Sequence, residues 1–356
     1  MIQPFLAPAS IQTWSPGRLQ VRCVGCVQET ADVRSFHFIA EPARLFLYKP
    51  GQFITLELDI DGARVARSYT LSSSPSTPYR LSITVKRVPG GQVSNWLHDH
   101  LHPGMTLDIQ GPAGQFNAVD IRADKLLLLS GGVGITPLMS MARWFHDTCS
   151  DVDLVFAHSA RSPADLIYRH ELEQMAASAS RFALHLLCDN HAPGQSWAGY
   201  RGRLNPTVLE LLAPDFRERE LLCCGPPAYM QCVRELLQAS GYDLTRYHEE
   251  AFFAEPPPCA TPDVQVDAAN APRIQFSLSG KEITAAPGET VHSAALRAGI
   301  RIPKACGMGV CGTCMVLKTA GEVRMQHDGG ITDEDVAAGY ILSCCSVPLQ
   351  DMAIDC

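Results

Sequence analysis

No apolar run in this 356-residue chain reaches the roughly 18 residues that a membrane-crossing helix needs. A clustered basic surface is also missing. Lys and Arg number 29 against 37 Asp and Glu, for a formal charge of -8. A nucleic-acid binder neutralises phosphates with such a cluster, so that class is excluded. The opening stretch MIQPFLAPASIQTWSPG has no basic start and breaks its apolar residues with proline; a secretion signal is not expected there. Internal repeats and low-complexity tracts are absent too. Cysteine, by contrast, is abundant, at fourteen residues. Without an export signal that usage points to a reducing, cytoplasmic compartment, and it argues against a disulfide scaffold, which would be shorter and secreted.

The length predicts two or three domains, because single cores stop growing near ~250–300 residues. The first hundred residues read as strands: RLQVRCVGCVQET, VRSFHFIA, QFITLELDI, VARSYTLSS and YRLSITVKRV. They are short and partly alternating, with turn residues between them, as in an antiparallel β-barrel. From Lys125 the pattern changes to apolar strands alternating with helical stretches, beginning at KLLLLSGGVGITPLMSMARWF. That alternation implies an α/β domain with a parallel sheet. The run from Ala254 to Pro272 is rich in Pro and Ala without periodicity, and reads as a linker. A compact α+β segment follows, with RIQFSLSG and KEITAAP as a hairpin and TVHSAALRAG as a helix. The expected divisions are an N-terminal extension (1–18), a barrel (19–118), an α/β domain (119–253), a linker (254–272) and a C-terminal domain (273–356).

That last domain holds five of the cysteines: Cys306, Cys311, Cys314, Cys344 and Cys345. Cys306-x4-Cys311-x2-Cys314 followed by Cys344 is the plant-type [2Fe–2S] spacing. The intervening Gly307, Gly309 and Gly312 let the backbone wrap tightly enough to bring N–H donors to bridging sulfides. A structural zinc site is the bland alternative, but zinc knuckles come as two separate CxxC-like pairs. Cys23-x2-Cys26 lies in a predicted strand, where residues three apart face opposite sides, so shared ligation is not expected.

Other stretches carry weaker signals. RSYTLSS offers Arg67 for a phosphate, Tyr69 as a flat face for a flavin ring, and Thr70 within reach of flavin N5 or O4; a plain barrel-edge Arg–Tyr pair is the alternative. VKRVPGGQVSNWLHD places Gly90, Gly91 and Ser94 at a helix start, an anion site of backbone N–H groups. SGGVGITP follows a buried strand and opens a helix, so its glycines admit a pyrophosphate, or simply make a turn. CCGPPAYM puts Cys224 at the carboxyl edge of the sheet, where such folds bind ligands.

Taken in this order, Arg-x-Tyr-Thr, GGxGITP, CGP and the plant-type cysteines resemble the ferredoxin–NADP reductase superfamily with a C-terminal ferredoxin domain of β-grasp type. Within it, the chain is similar to reductases serving Rieske oxygenases that demethylate glycine betaine and related quaternary amines, and also to the NADH reductase of the hybrid cluster protein. The resemblance implies FAD, NADH and a [2Fe–2S] cluster as cofactors and a protein electron acceptor as partner. It places Arg67, Tyr69 and Thr70 on the flavin, Gly91, Val93 and Ser94 on its pyrophosphate, and Gly132, Gly134 and Thr136 at the nicotinamide cofactor. Cys224 falls near the nicotinamide, Tyr69, Thr70 and Cys224 are the catalytic positions, and Phe252 covers the flavin. Cys306, Cys311, Cys314 and Cys344 hold iron, with Cys345 a bystander. Phe253 stands where the family has a small residue. Asp189, after the third strand of the α/β domain, would repel a 2′-phosphate, which favours NADH over NADPH, although Arg161 pulls the other way. A non-redox rival, a nucleotide-binding regulator with a zinc-stabilised tail, shares the glycine loop and the cysteines.

Two features read as bland. His98 and His102 are spaced as a zinc pair but lack a third ligand, so a solvated helix face is expected. Asp333, Glu334 and Asp335 read as an acidic first turn.

Overall fold

The computed structural model describes residues 12–14, 16–190, 196–252, 271–300, 302, 307, 309, 312, 314–327 and 330–356. The expected ligands Cys306 and Cys311, the aromatic Phe253 and most of the linker stretch lie outside the described residues.

Alternation in the first segment builds a six-stranded sheet. Its order is Ala63–Thr70, Phe53–Ile60, Thr106–Ala113, Gly17–Thr30, Val33–Ala40 and Leu81–Lys86. Phe36 faces Ile83 and Phe38 faces Leu81 across one antiparallel pair, and all four side chains are fully buried. Such cross-strand apolar pairs are the unit of sheet stability. The helix Gln92–His100 follows the strand Leu81–Lys86 and buries Val93, Ser94, Leu97 and His98.

The strand Gly17–Thr30 departs from strict alternation. Its register against Val33–Ala40 shifts between Cys23 and Gly25, so Val24 is an extra, bulged residue. Cys23 then lies opposite Phe38 and Cys26 opposite Phe36, two partner positions apart and therefore on one face. The expectation of opposite faces was wrong for that reason: the bulge restores an even spacing, and the two Sγ atoms stand 3.9 Å apart.

In the second segment the leucine run Leu126–Leu129 is buried throughout, as a parallel strand covered on both faces requires. Leu126 and Leu128 pack with Ile135, Leu138, Met139 and Ala142 of the helix Ile135–Asp147. Leu127 and Leu129 face the other way, towards Met230, Val233 and Leu237 of the helix Pro227–Ala239. The six parallel strands run in the order Tyr200–Arg201, Phe182–Cys188, Asp153–Ala160, Lys125–Gly131, Glu220–Cys224 and Tyr247–Glu250. The chain starts in the middle, steps outward on one side and returns on the other. The reversal falls between Lys125–Gly131 and Glu220–Cys224, which makes the carboxyl ends of those two strands the expected binding crevice.

Residues 271–356 build a core of their own. A five-stranded sheet, ordered Lys281–Thr284, Arg273–Phe276, Met352–Asp355, Met315–Ala320 and Tyr340–Leu342, packs Ile274, Phe276 and Ile354 with Val291, Ala294 and Ala295 of the helix Val291–Arg297. The first two strands form the expected antiparallel hairpin. At the acidic turn, Thr332 caps the helix Asp333–Ala337 and Asp335 returns the bond to the Thr332 backbone, a capping box that satisfies two otherwise orphaned N–H groups.

Candidate functional site

The reversal point gathers residues from three strand ends. Cys224 closes one strand and pairs in register with Glu250, the last residue of the next. Glu250 in turn accepts a hydrogen bond from Thr70 Oγ1 at 3.4 Å, so the end of the barrel strand Ala63–Thr70 meets the edge of the parallel sheet. All of this is dry. Burial pushes the Glu250 carboxyl up to about 8, against the pull of Thr70. Burial, reinforced by the Glu250 carboxylate and Cys223, holds the Cys224 thiol well above its usual range. Glu250 therefore holds its proton more tightly than an exposed glutamate does. Sequence reasoning passed over Glu250 as a site residue, because burial of an acid depends on tertiary packing; the signal available was its place in EEAFF beside Phe252. Further contacts tie the same two segments together. Ser140 Oγ donates to the Ser73 carbonyl at 2.6 Å, and Arg143 donates to the Ser72 carbonyl while clasping Glu171 through Nε and Nη2.

Glycine is needed at the loop for close approach. A Cβ on Gly134 would fall 2.4 Å from the Cys224 carbonyl oxygen, and Gly132 takes φ +53 with open space beside it. The loop thus presses against the CGP turn on one side and leaves room on the other. Ser159 Oγ and Tyr229 OH are buried near it and interact with each other, with no further partner among the described residues. Ser159 pairs in register with Gly131, and a Cβ on Gly131 would meet the Tyr229 ring. An open glycine loop at the N-terminal end of a 13-residue helix, with polar hydroxyls nearby, fits a bound pyridine nucleotide. Thr136, in the first turn of that helix, is buried with Oγ1 on the Val133 carbonyl.

The other helix start fits a second pyrophosphate. Gly91 is the N-cap of Gln92–His100 and offers no capping side chain, so its first-turn N–H groups are available to an anion. A Cβ there would strike Ser94 Oγ at 2.6 Å and the Val88 carbonyl at 3.1 Å, and Ser94 Oγ already accepts from the Val88 N–H. Val93 and Ser94 are buried in this turn. Arg67 is exposed and Tyr69 half-buried on their strand, and Phe252 is half-buried just past the last parallel strand.

Of the expected iron ligands, Cys314 and Cys344 are described, and both are 2% exposed. The Cys344 thiol meets Cys314 and the Gly309 backbone N–H, and it also touches Cys345. Cys345 donates to the Leu342 carbonyl at 3.5 Å. Ser343 binds the Cys314 carbonyl through both its N–H and its hydroxyl, which holds the two ligand-bearing stretches together. Gly309 and Gly312 have φ of +73 and +70, in the left-handed region where glycine carries no Cβ penalty. Two buried thiols converging beside a backbone N–H fit a cluster whose sulfurs need donors.

Three other readings change on inspection. His98 is 7% exposed, with Nε2 at 2.9 Å from the Val85 carbonyl; it is a satisfied core histidine, so the expected solvated face was wrong. His102 lies beyond the helix end and turns to Pro103. Asp189 forms an ion pair with Arg203 at 3.1 Å, a partner the sequence argument for NADH did not include. A cavity of about 730 Å³, lined among others by His37, Ser74, Arg80 and Tyr168, contains none of the residues expected to hold flavin or nicotinamide.

Three family models match the chain in order: an oxidoreductase FAD-binding domain over residues 22–118, an oxidoreductase NAD-binding domain over 128–235, and a 2Fe-2S iron-sulfur cluster binding domain over 276–349. The glycine betaine monooxygenase reductase subunit of Pseudomonas aeruginosa is 60% identical, covering 100% of each chain. The chain belongs to the ferredoxin–NADP reductase superfamily. It has the three-domain form, an oxidoreductase with FAD, NAD and [2Fe–2S] domains. The stachydrine N-demethylase reductase subunit of Rhizobium meliloti is 44% identical over 96% of this chain and 97% of that one. Phthalate dioxygenase reductase shares the fold, with a TM-score of 0.59 at 24% identity, covering 96% of this chain and 98% of that one. The first of these relatives is the reductase subunit of a monooxygenase and the second that of an N-demethylase. Among the described residues no helix is long and apolar enough to cross a membrane.

Proposed function

We propose that this chain oxidises NADH and delivers the electrons, through FAD and a [2Fe–2S] cluster, to the Rieske oxygenase of a quaternary-amine demethylase, with glycine betaine the first candidate substrate. The observation that carries this reading is full-length identity of 60% to a reductase of that system. The work is divided among a barrel (19–118), an α/β domain (119–253) and a cluster domain (273–356) joined by a linker (254–272), in the cytoplasm.

When bound, the nicotinamide supplies a hydride to the flavin and the cluster accepts the electrons singly, which turns a two-electron donor into a one-electron source. The protein's part is placement. Arg67 and the first turn at Gly91, Val93 and Ser94 would bind flavin phosphates, Tyr69 would take the ring face, and Phe252 would cover it. Gly132, Gly134 and Thr136 would seat the nucleotide, with Cys224 beside its nicotinamide, and that placement would orient the ring for transfer. Glu250 would hold a proton at its carboxyl, and Thr70 Oγ1, which donates to that carboxyl, would orient it. Burial of Cys224 and Thr70 keeps water from their side of the site. Cys306, Cys311, Cys314 and Cys344 hold the cluster, with Cys345 outside it.

Reconstitution tests the proposal. NADH, this protein and the purified oxygenase should release formaldehyde from glycine betaine or a related N-methylated substrate, with kcat/KM for NADH above that for NADPH. No turnover there, together with rapid reduction of a hybrid cluster protein, would assign the chain to that other acceptor.

A further inference from the structure

The thiols of Cys23 and Cys26 have no part in the electron path, yet the bulge at Val24 brings them together. Their Sγ atoms are 3.9 Å apart. Because they oppose Phe38 and Phe36, their backbones are offset by two strand positions, about 6.6 Å. That lies at the upper end of the ~4.4–6.8 Å between Cα atoms that a disulfide spans. Side-chain rotation with a small backbone adjustment closes the gap.

The two thiols are also unequal. Cys23 is fully buried, and burial, with Cys26 beside it, pushes its thiol up to about 12. Cys26 is partly exposed and points towards the Leu101 carbonyl, 3.7 Å from its Sγ. Cys23 leans on the Gly25 carbonyl at 3.6 Å. One thiol is reachable from solvent, and the other waits behind it in a tightly held strand whose backbone is bonded to Met105 and Gly104.

We propose that Cys23 and Cys26 form an oxidisable dithiol, in which Cys26 is the entry thiol and Cys23 the resolving one, closed by a low-molecular-weight disulfide. The Cys26 thiolate attacks the small disulfide, giving a mixed disulfide and releasing one small thiolate. Cys23 then attacks the Cys26 sulfur, expelling the second. One S–S bond is broken and one formed, two electrons pass from the protein to the oxidant, and the two thiol protons end on the released thiols. The bridge removes the Cys26 contact with Leu101, the residue that caps the helix Gln92–His100 at its C-terminal end. A bridge at the limit of its span carries strain, so a dithiol reductant reopens it readily.

The test uses the full-length holoprotein, incubated anaerobically with oxidised glutathione, denatured in an alkylating agent and cut with trypsin. Cleavage after Arg22 and Arg34 isolates both cysteines in one peptide, Cys23–Arg34, with no other thiol. The expected peptide is unalkylated and two hydrogens lighter, and a dithiol reductant restores both alkylation sites. Cys23→Ala keeps the site apolar and should trap glutathione on Cys26, whereas Cys26→Ser should leave Cys23 unmodified and alkylated. Recovery of the wild-type peptide alkylated at both positions, or cross-linked instead to exposed Cys149 or Cys232, would overturn the proposal. So would a glutathione adduct on wild-type Cys26 that Cys23 never resolves.

Discussion

Two regions of this chain share the spacing Cys-x2-Cys and use it differently. In the barrel, Cys23 and Cys26 are brought to 3.9 Å by one extra residue in a strand. In the C-terminal domain, Cys314 belongs to a spaced run of three, and Cys344 joins it from 30 residues away, with Gly309 supplying a backbone N–H. The first region has two thiols, a bulge and carbonyls; the second has glycines in the left-handed conformation, of which Gly309 offers its N–H to Cys344. Spacing alone therefore does not distinguish a dithiol from a cluster site. The backbone donors and the number of converging thiols do.

The sharpest way to break that contrast is Cys344→Ser. It should bleach the cluster and bring NADH-driven cytochrome c reduction to background, while flavin reduction by NADH continues at the wild-type rate; Cys26→Ser should leave both untouched. Loss of cluster absorbance in the barrel variant would mean that the two regions are not separate.

Gly134→Ala comes next. The new Cβ meets backbone, the Cys224 carbonyl at 2.4 Å, so the loop must shift. Overpacking of this kind costs about 1–3 kcal/mol, and if that cost falls on nucleotide placement, flavin reduction slows about 5- to 150-fold. Stopped-flow absorbance with NADH measures this, and bound flavin content should not change.

How much of this was legible beforehand follows from what each feature depends on. The cluster motif, the glycine loop, the order of domains and the hairpin at Arg273–Phe276 are local patterns, written in spacing and turn residues. The bulge at Val24 is not, since nothing in VRCVGCVQ marks which residue is left unpaired until the partner strand sets the register. His98 misled for a related reason: its polarity suited a solvated face, and only the Val85 carbonyl across the packing shows why it is buried. The Thr70–Glu250 bond likewise joins segments 180 residues apart, and the Arg203–Asp189 pair depends on how the chain returns across 14 residues.

Glu250→Gln tests one such buried feature with a smaller effect. The native carboxyl is raised from 4.5 to about 8, so the folded state binds this proton more tightly than the unfolded chain. Wild-type stability should then fall, relative to the Gln variant, as pH rises from about 4.5 to about 8, with no further divergence above. Thermal midpoints measured across that window check the sign; parallel curves would show that Glu250 is ionised in the folded protein.

The smallest effect belongs to Cys345→Ser. With Cys344 as the ligand, cluster absorbance and cytochrome c reduction should remain within about twofold of wild type, as for an ordinary local change. Swapped outcomes at Cys344 and Cys345 would shift the ligand by one position.

The account rests on electrons moving from NADH to flavin to cluster in that order. Anaerobic stopped-flow mixing of the holoprotein with NADH, followed at flavin and cluster wavelengths, tests it most directly. Flavin bleaching should come first and cluster reduction second, with one electron per cluster and no cluster reduction in flavin-depleted protein. Reduction of the cluster at an unchanged rate without flavin, or flavin bleaching that never reaches the cluster, would contradict it.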